Sequence, residues 1–561
     1  MSTVAQSQFR PVALEGRVVM TALACLGVAA SYLLYWTLFP ELQAGAIGND
    51  ALFLADGARR IAAGATPHAD FSLPTGAEPF LGYYLAERFL PQISPFIGSQ
   101  LFGFALLVPL LIAAASQLPS RLAAVALIAL ASAAALLPFN LLPTAFYGIS
   151  FHASYNRLGT AFAIIYLAWV FRAGTRPAWV DGLLIGYALL FAFFLKIVFF
   201  GLVFAPLIVL VGLDARFRRM ALIGVAAFVL VLVAVEAATG MVGAYLADIR
   251  AMSRVNGGRA PYLAASFVFR NLVELALVAA AIALLVWDRL LAFRQSGGPF
   301  FDRARPVAIP VALAAALGAL VFAESQATGG LEATGALGLL FAPGLFRPAR
   351  TAPLSAPVAT AAVTLAGGVY VATVVATAGG VLLKRQGPTA AEPWTARFMP
   401  HLVVPEDLRR ESEALEKLWT NGREAVSALG PNQDSILQGF RLTQYLAVWR
   451  TVDAAIARLG GERDLGGVMT LTNVDLFGLA LGAKPVEGAK VVHDVGRTIT
   501  PLTPQQASDY LADADTVFEP TCRLAEAPVT SIAPWFTSTL AAEFTVRELT
   551  PCWTMHRRKV G

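Results

Sequence analysis

Two carboxylates in one polar segment near the N-terminus have the residue type and the setting for acid–base chemistry. Asp50 ends the sequence GND (48–50), and Asp70 lies in the sequence PHADF (67–71), two residues after His68. A carboxylate held at the boundary between membrane and water can accept a proton from a hydroxyl or amine as a general base. Asp50 is equally suited to capping a helix, because its side chain can satisfy free backbone N–H groups. Both roles stay open for Asp50, and Asp70 is the second candidate.

The residues after Asp50 predict the helix that positions it. The pattern is helical from Ala51 to Ala63, and Gly64 ends it. The helix is amphipathic, with Leu52, Phe53, Ala55 and Ile61 on one face and Asp56, Arg59 and Arg60 on the other. We expect it to lie along the outer membrane surface.

Composition places this segment in a membrane protein. Of the 561 residues, 57% are hydrophobic and only 14% are charged, whereas about a quarter of a soluble chain is charged. Apolar runs fill the first two-thirds of the chain, and charges crowd the last third. The sequence therefore predicts a transmembrane domain (1–383), with a first outer loop at 40–95, and a soluble domain (384–561).

A helix needs about 20 apolar residues to cross the hydrocarbon core, where its backbone must satisfy its own hydrogen bonds. By this measure the fold class is a polytopic α-helical membrane protein with about eleven transmembrane helices. The predicted spans are 18–39, 96–116, 122–142, 157–172, 180–195, 197–213, 220–238, 270–287, 306–323, 333–346 and 356–378.

Arginines indicate the orientation of these spans. Each loop on one side of the predicted bundle carries arginine, from Arg10 and Arg17 in the first to Arg347 and Arg350 in the last. Bacterial inner-membrane proteins collect such charges in the cytoplasm, so the loop 40–95 and the domain 384–561 are predicted to be periplasmic. Because the arginines lie between apolar runs and not on one basic face, the net charge of +5 does not indicate nucleic-acid binding.

The soluble domain is predicted to be α/β or α+β. Helical patterns at 405–429 and 435–459 precede strand-like runs that begin at Gly467, Thr516 and Phe544. The domain contains no phosphate-loop, metal-binding or nucleophile-elbow pattern, which favours a cap or acceptor-binding module. Its polar candidates for acceptor contact, which are otherwise turn residues, are Asn473, Asp475, His493 and Asp494.

Cysteine usage bears on the compartment. Cys522 and Cys552 both fall in the soluble domain, and Cys25 lies in the first apolar run as a small packing residue. If the soluble domain lies outside the cytoplasm, a disulfide and two free thiols are about equally consistent with the sequence.

The segment 50–76 resembles a known family. Asp50, the pattern Gly-x-x-Pro-His-x-Asp-Phe (64–71) and the pattern Pro-x-Gly (74–76) directly follow one N-terminal span. This arrangement resembles the GT-C superfamily of membrane glycosyltransferases, which includes protein mannosyltransferase-like and lipid A-modifying enzymes that use polyprenyl-phosphate sugars. The resemblance implies an acid in this loop that positions or deprotonates the acceptor, first Asp50 and then Asp70. Many members have two adjacent acids here, whereas this chain has one, in Asn49-Asp50.

An enzyme of this kind needs cations, because its leaving group is a lipid phosphate. The donor-phosphate candidates are Lys196, Arg157, Arg254 and Arg259, with His68, Tyr155 and Asn156 as further polar contacts. Lys196 is equally consistent with snorkelling to the membrane surface. Arg157 also suits an interfacial anchor, and the other two arginines also suit a solvated loop.

The leading hypothesis is a glycosyltransferase that moves a sugar from a polyprenyl-phosphate carrier to a lipid, glycan or protein acceptor on the periplasmic face. The sequence indicates no definite cofactor and leaves a divalent metal open. The alternatives are a multi-pass transporter or lipid flippase, and a non-catalytic membrane scaffold with a periplasmic binding domain. Transporters place polar residues near the bilayer midplane, whereas the polar signal here concentrates in one outer loop.

Overall fold

The computed structural model describes the membrane-type helices and most of the C-terminal part of the chain. The described residues are 11–46, 49–118, 120–138, 149–150, 154–173, 176–295, 299–327, 368, 372, 389–391, 401–420, 442–462, 464–522 and 531–559. Most of them are helical, and a small sheet lies toward the C-terminus.

Nine of the predicted spans coincide with helices. The helices up to residue 327 are α1 (Pro11–Leu38), α2 (Asn49–Ala62), α3 (Glu78–Phe89), α4 (Pro95–Gln117), α5 (Arg121–Leu136), α6 (Ser154–Val170), α7 (Ala178–Leu195), α8 (Ile197–Leu213), α9 (Ala215–Thr239), α10 (Met241–Asn256), α11 (Ala260–Arg270), α12 (Leu272–Gln295) and α13 (Phe300–Ala327). Among the described residues, six helices are long and apolar enough to cross a membrane, namely α1, α4, α7, α9, α12 and α13, and α5 and α8 are shorter apolar helices. A polytopic helical protein is therefore confirmed, whereas the number eleven stays a prediction, because the structure describes no residue of 333–346 and only residues 368 and 372 of 356–378.

Lys196 divides the apolar stretch 178–213 as the sequence predicts. Its backbone is extended (φ −168°, ψ 127°), and this single residue separates α7 from α8. Glycines then let α7 approach α9 closely: a Cβ added at Gly186 would lie 2.7 Å from the carbonyl oxygen of Gly224. Small residues at such contacts are usual where membrane helices pack backbone against backbone.

The helical bundle has two chemically different ends. One end, which we call the arginine end, carries Arg17, Arg176 and Arg305: Arg17 donates to the carbonyl of Leu118, Arg176 to Ser116, and Arg305 pairs with Asp214. The opposite end, which we call the Lys196 end, carries the turn between α7 and α8, where the N–H of Gly76 donates to the carbonyl of Leu195 at 3.1 Å. The loop 40–94 thus lies at the end opposite Arg17, Arg176 and Arg305.

The C-terminal unit, meaning the described residues from Thr389 onward, contains two sheets and the helices that cover them. Its helices are α14 (Glu406–Thr420), α15 (Leu442–Arg458), α16 (Leu476–Leu481), α17 (Pro504–Tyr510) and α18 (Thr537–Glu543), with a 3-10 turn at Ala533–Trp535. The strands among the described residues are β1 (Leu42–Ala46), β2 (Ile149–Ser150), β3 (Thr389–Ala391), β4 (Leu402–Pro405), β5 (Gly467–Thr470), β6 (Lys484–Pro485), β7 (Thr516–Pro520), β8 (Phe544–Thr550) and β9 (Trp553–Arg558).

The larger sheet has the order β6-β5-β7-β9-β8, parallel on the β6–β5–β7 side and antiparallel from β7 to β8. This mixed sheet with flanking helices agrees with the predicted α/β or α+β class. Cys522 and Cys552 form a disulfide beside the β8–β9 turn. Of the two alternatives that the sequence left open, a disulfide and two free thiols, the structure therefore has the disulfide.

The smaller sheet joins the N-terminal loop to the C-terminal unit. Its order is β2-β1-β4-β3, so β1 of the loop pairs in parallel with β4, with Leu42 opposite Leu402. Residues of the loop and of the C-terminal unit also share one apolar cluster, which includes Phe53, Phe80, Trp449 and Phe477. The first outer loop and the C-terminal unit are thus packed together at the Lys196 end.

Helix α2 differs from the prediction in its surroundings. Its bounds, 49–62 with Gly64 at φ +93°, agree with the sequence pattern. Its charged face is not on an open membrane surface, however, because Asp56 is fully buried and Arg60 is 3% exposed. The C-terminal unit covers that face, so the charges form an internal ion network.

Candidate functional site

The candidate site is the group of polar side chains around Asp50 and Lys196 at the Lys196 end of the bundle. Asp50 lies in the first turn of α2, Tyr155 and Asn156 in the first turn of α6, and Lys196 between α7 and α8. Asp50 interacts electrostatically with both Tyr155 and Lys196. Four residues singled out from the sequence therefore converge, although they come from three separate stretches of the chain.

Lys196 is turned into the protein and not simply toward the surface. Its Nζ donates to Oδ1 of Asn156 at 2.9 Å and to the carbonyl oxygen of Gln326 at 3.3 Å. The same ammonium lies 5.4 Å from the centre of the Tyr155 ring, within cation–π range. These three contacts hold the ammonium in one place, which favours a fixed positive charge over the snorkelling alternative.

A second acid, to which the sequence pattern assigns no role, lies near this lysine. Glu324 of α13 is fully buried, and its Oε1 accepts from the hydroxyl of Thr160 at 2.9 Å. Glu324 and Asp50 both interact electrostatically with Lys196. The positive charge of Lys196 is thus balanced by two carboxylates, Asp50 on α2 and Glu324 on α13.

The C-terminal unit also contributes to this group. Tyr445 of α15 is buried, and burial together with nearby Asp50 raises the pKa of its hydroxyl above the ordinary value, which keeps it neutral. Arg497 and Asp494, on a turn after β6, interact electrostatically with Tyr155. By its sequence Asp494 is a turn residue, and Arg497 has no local pattern that indicates where it packs.

Asp70 lies in a different setting from Asp50. Its side chain is exposed, and Oδ2 accepts from the backbone N–H of Thr66 at 2.6 Å, closing the turn 66–70. Its own carbonyl oxygen accepts from Gly488 of the C-terminal unit at 2.9 Å. Its geometry is that of a turn residue, and the structure favours Asp50 over Asp70 as the acid of the site.

His68 belongs to a junction beside the site. It has a left-handed backbone (φ +65°), uncommon for a residue with a side chain, and its ring lies 4.4 Å from that of Tyr245. Asp248 of α10 joins His68 and Ser72: its carboxylate lies 2.8 Å from Nδ1 of His68 and accepts from the Ser72 hydroxyl at 2.7 Å. Lys490 donates to the same hydroxyl at 3.2 Å. Since the acid stands between serine and histidine, this is an ion network between three elements and not a catalytic relay.

None of the three predicted arginines is among the partners of Lys196. Arg157 is buried, and Nη2 lies 2.9 Å from the Gln100 amide oxygen when that amide is oriented by its neighbours. Arg254 and Arg259 are exposed, at the end of α10 and in the turn after it. Their phosphate-binding role stays a prediction.

Asp56, Arg59 and Arg60 anchor the C-terminal unit to α2. Arg60 donates to Asp56 at 2.9 Å and to the carbonyl of Val486 at 2.9 Å, and Arg59 bridges Asp56 at 2.5 Å and Asp475 at 2.9 Å. Although burial alone would raise it, the two guanidinium groups hold the pKa of Asp56 below its usual range. Asp475, a turn residue by default in the sequence, is thus an interface residue.

In the part of the chain that the structure describes, no group of three or more His, Cys, Asp or Glu side chains is placed to hold a metal ion. The chemistry available at the site is that of two acids, Asp50 and Glu324, one fixed ammonium and neutral tyrosine hydroxyls. Known proteins add nothing further, since no protein-family model, no curated protein and no solved structure matches the chain.

Proposed function

We propose that this protein is a glycosyltransferase that transfers a sugar from a polyprenyl-phosphate carrier to a lipid, glycan or protein acceptor. The observation that carries the proposal is the convergence of Asp50 and Lys196 where the helical bundle meets the C-terminal unit. A lipid-linked donor needs a site near the bilayer for its tail and near water for its sugar, and the Asp50–Lys196 group lies where membrane-type helices meet the C-terminal unit.

In the proposed reaction, the acceptor hydroxyl attacks the anomeric carbon, and the bond between that carbon and the phosphate oxygen breaks. Asp50 accepts the hydroxyl proton as the new glycosidic bond forms. The electron pair of the broken bond leaves with the polyprenyl phosphate, whose charge the Lys196 ammonium stabilises. Because Asn156, Tyr155 and the Gln326 carbonyl hold Lys196, this cation is oriented before the charge develops.

The proposed location is a bacterial inner membrane, with the C-terminal unit in the periplasm. Two observations support this side. The C-terminal unit lies at the end of the bundle opposite Arg17, Arg176 and Arg305, and arginines favour the cytoplasmic side. The Cys522–Cys552 disulfide suits an oxidising compartment.

The direct experiment reconstitutes the purified protein in lipid nanodiscs and supplies polyprenyl-phosphate sugars one at a time. We expect release of polyprenyl phosphate with at least one donor, in the presence of a membrane extract as acceptor source. The absence of lipid-phosphate release with every donor and acceptor tested, from folded protein, would contradict the proposal.

A further inference from the structure

Two extended segments carry a turn of the C-terminal unit toward Lys196. The segment 488–491 runs parallel to 70–72: Gly488 donates to the carbonyl of Asp70 at 2.9 Å, and Val491 donates to that of Ser72 at 3.2 Å. The parallel pairing of Ser72 with Lys490 gives the two segments the same direction. The first ends at Gly76, which donates to Leu195 beside Lys196, and the second therefore continues into a turn at the same end.

This turn has a fixed shape. The carbonyl of Asp494 accepts from the N–H groups of Arg497 and Thr498 at 2.9 and 2.8 Å, and the Thr498 hydroxyl accepts from the Asp494 N–H at 2.8 Å. Gly496 takes a left-handed conformation (φ +78°) and donates to Ile499 at 2.9 Å. The backbone of Arg497 is thus held in place before any ligand binds.

The side chain of Arg497 is available to a ligand. It is 51% exposed, and its ion pair at 3.0 Å is with Asp494, which is itself 38% exposed. Such an exposed pair contributes little and is easily exchanged. Arg497 also interacts electrostatically with both Tyr155 and Lys196. Two cations therefore lie in one small region beside Asp50 and Glu324, and an anionic ligand bound by both cations relieves the repulsion between them.

We propose that Arg497 is a second phosphate-binding residue, which binds the lipid phosphate of the donor together with Lys196. This proposal rests on the proposed function and changes the part played by the C-terminal unit, which becomes one wall of the donor site. A planar guanidinium can engage two phosphate oxygens at once, while the Lys196 ammonium acts as a point charge.

The test measures binding of polyprenyl phosphate, and separately of the uncharged polyprenol of the same length, to the full chain in nanodiscs of neutral phospholipid. Wild-type protein should prefer the phosphate. Arg497→Gln should lower affinity for polyprenyl phosphate about tenfold, the scale of one charge-assisted hydrogen bond, and leave polyprenol binding unchanged. The affinity of Arg497→Lys for polyprenyl phosphate should lie between those of wild type and Arg497→Gln.

Two further variants make the result specific. Arg547→Gln is the matched control, because Arg547 is also 51% exposed and paired at 3.2 Å, with Glu462 on another surface; it should bind as wild type. Asp494→Asn removes the competing carboxylate and should tighten phosphate binding, a gain that misfolding does not produce.

The outcomes separate the two proposals. If wild type prefers the phosphate and Arg497→Gln binds it equally well, the role of Arg497 is wrong and the proposed function stands. If wild-type protein binds polyprenyl phosphate no better than polyprenol, the proposed function itself is contradicted.

Discussion

Nη2 of Arg59 lies 2.9 Å from Oδ2 of Asp475, joining the loop helix α2 to a turn 416 residues further along the chain. The two side chains are 13% and 5% exposed, so the pair is nearly enclosed. Asp475 also accepts from the hydroxyl of Thr470 at 2.8 Å and caps α16 at the N–H of Gly478. This ion pair therefore fixes the C-terminal unit over the helix that carries Asp50.

Breaking this pair should release the C-terminal unit, with a definite order of severity. Arg59→Gln leaves the buried Asp475 carboxylate without its cation and should lower the free energy of unfolding by about 3–5 kcal/mol. Asp475→Asn should cost less, because Arg59 keeps Asp56 as a partner. Thermal unfolding and limited proteolysis measure both effects.

The control for this pair is Arg410→Gln, whose guanidinium is 74% exposed in its pair with Glu406. It should change stability by less than about 1 kcal/mol. Equal melting temperatures for Arg59→Gln and Arg410→Gln would refute the anchoring role of Arg59.

His493 should make the C-terminal unit sensitive to acid. Its Nδ1 lies 2.9 Å from the carbonyl of Thr472 and its Nε2 lies 2.8 Å from the Tyr510 hydroxyl. The ring is therefore neutral, donating from Nδ1 and accepting at Nε2, and burial lowers its pKa to about 4. Between the unfolded value near 6.5 and pH 4 the unfolded state binds more protons, so stability falls as the pH falls through this window.

At pH 5 the loss of stability relative to pH 7.5 should be about 2 kcal/mol. His493→Gln does not titrate and should flatten this part of the profile, although it lowers stability at pH 7.5. Denaturant unfolding of both proteins at several pH values measures the difference. A variant with the same slope between pH 7 and 5 as wild type would show that His493 is not the group responsible.

Glu78 should produce the opposite dependence at higher pH. It is 9% exposed, at the start of α3, and Oε2 is a buried atom without a hydrogen-bond partner among the described residues. Burial raises the pKa of Glu78 to about 8, so the folded state binds more protons than the unfolded state between pH 4.5 and 8. Stability therefore falls as the pH rises through that window.

Glu78→Gln imitates the protonated acid. We expect it to unfold at a higher temperature than wild type at pH 8 and at a similar temperature at pH 5. Melting curves in the same detergent at the two pH values provide the comparison. If the variant is less stable than wild type at pH 8, then the Glu78 carboxylate is stabilised by a partner and this account of it fails.

The disulfide should stabilise the C-terminal unit. Cys522 and Cys552 are 30 residues apart, and closing a loop of that length contributes about 3–4 kcal/mol in the chain-entropy model. The double variant Cys522→Ser/Cys552→Ser should melt at a lower temperature than oxidised wild type. Non-reducing peptide mapping of protein from the native membrane should find the two cysteines linked; two freely alkylated thiols would contradict the bond and remove one support for a periplasmic location.

Local signals made much of the fold predictable. The helix after Asp50 ends before Gly64 because a left-handed glycine stops a helix, and the interruption at Lys196 follows from placing a charge within an apolar run. The helix that ends at Arg458 is likewise followed by Gly460 and Gly461, both left-handed. In each case the residue type determines the backbone within a few positions.

Long-range packing was not predictable from the pattern. The charged face of α2 indicates a solvated surface by its periodicity, yet Asp56 is buried because Asp475 and the carbonyls of Ala483 and Val486 arrive from the C-terminal unit. Asp50 and Lys196 were each singled out, but their proximity depends on how α2 packs against α6, where the Phe53 and Tyr155 rings lie 6.3 Å apart. Arg497 had no signal in the sequence, since its position follows from a parallel pairing more than 400 residues apart in the chain.

The central claim is that Asp50 acts on the acceptor, and a comparison of two substitutions tests it. Both acids lie in the same outer loop, but Asp50 is near Lys196 whereas Asp70 closes an exposed turn. The measurement is the rate of polyprenyl-phosphate release by purified, folded Asp50→Asn and Asp70→Asn proteins, with the donor that wild type uses. We predict that Asp50→Asn loses at least a hundredfold, the lower range for general-base catalysis, and that Asp70→Asn keeps most of the wild-type rate. Full activity in Asp50→Asn would contradict the account.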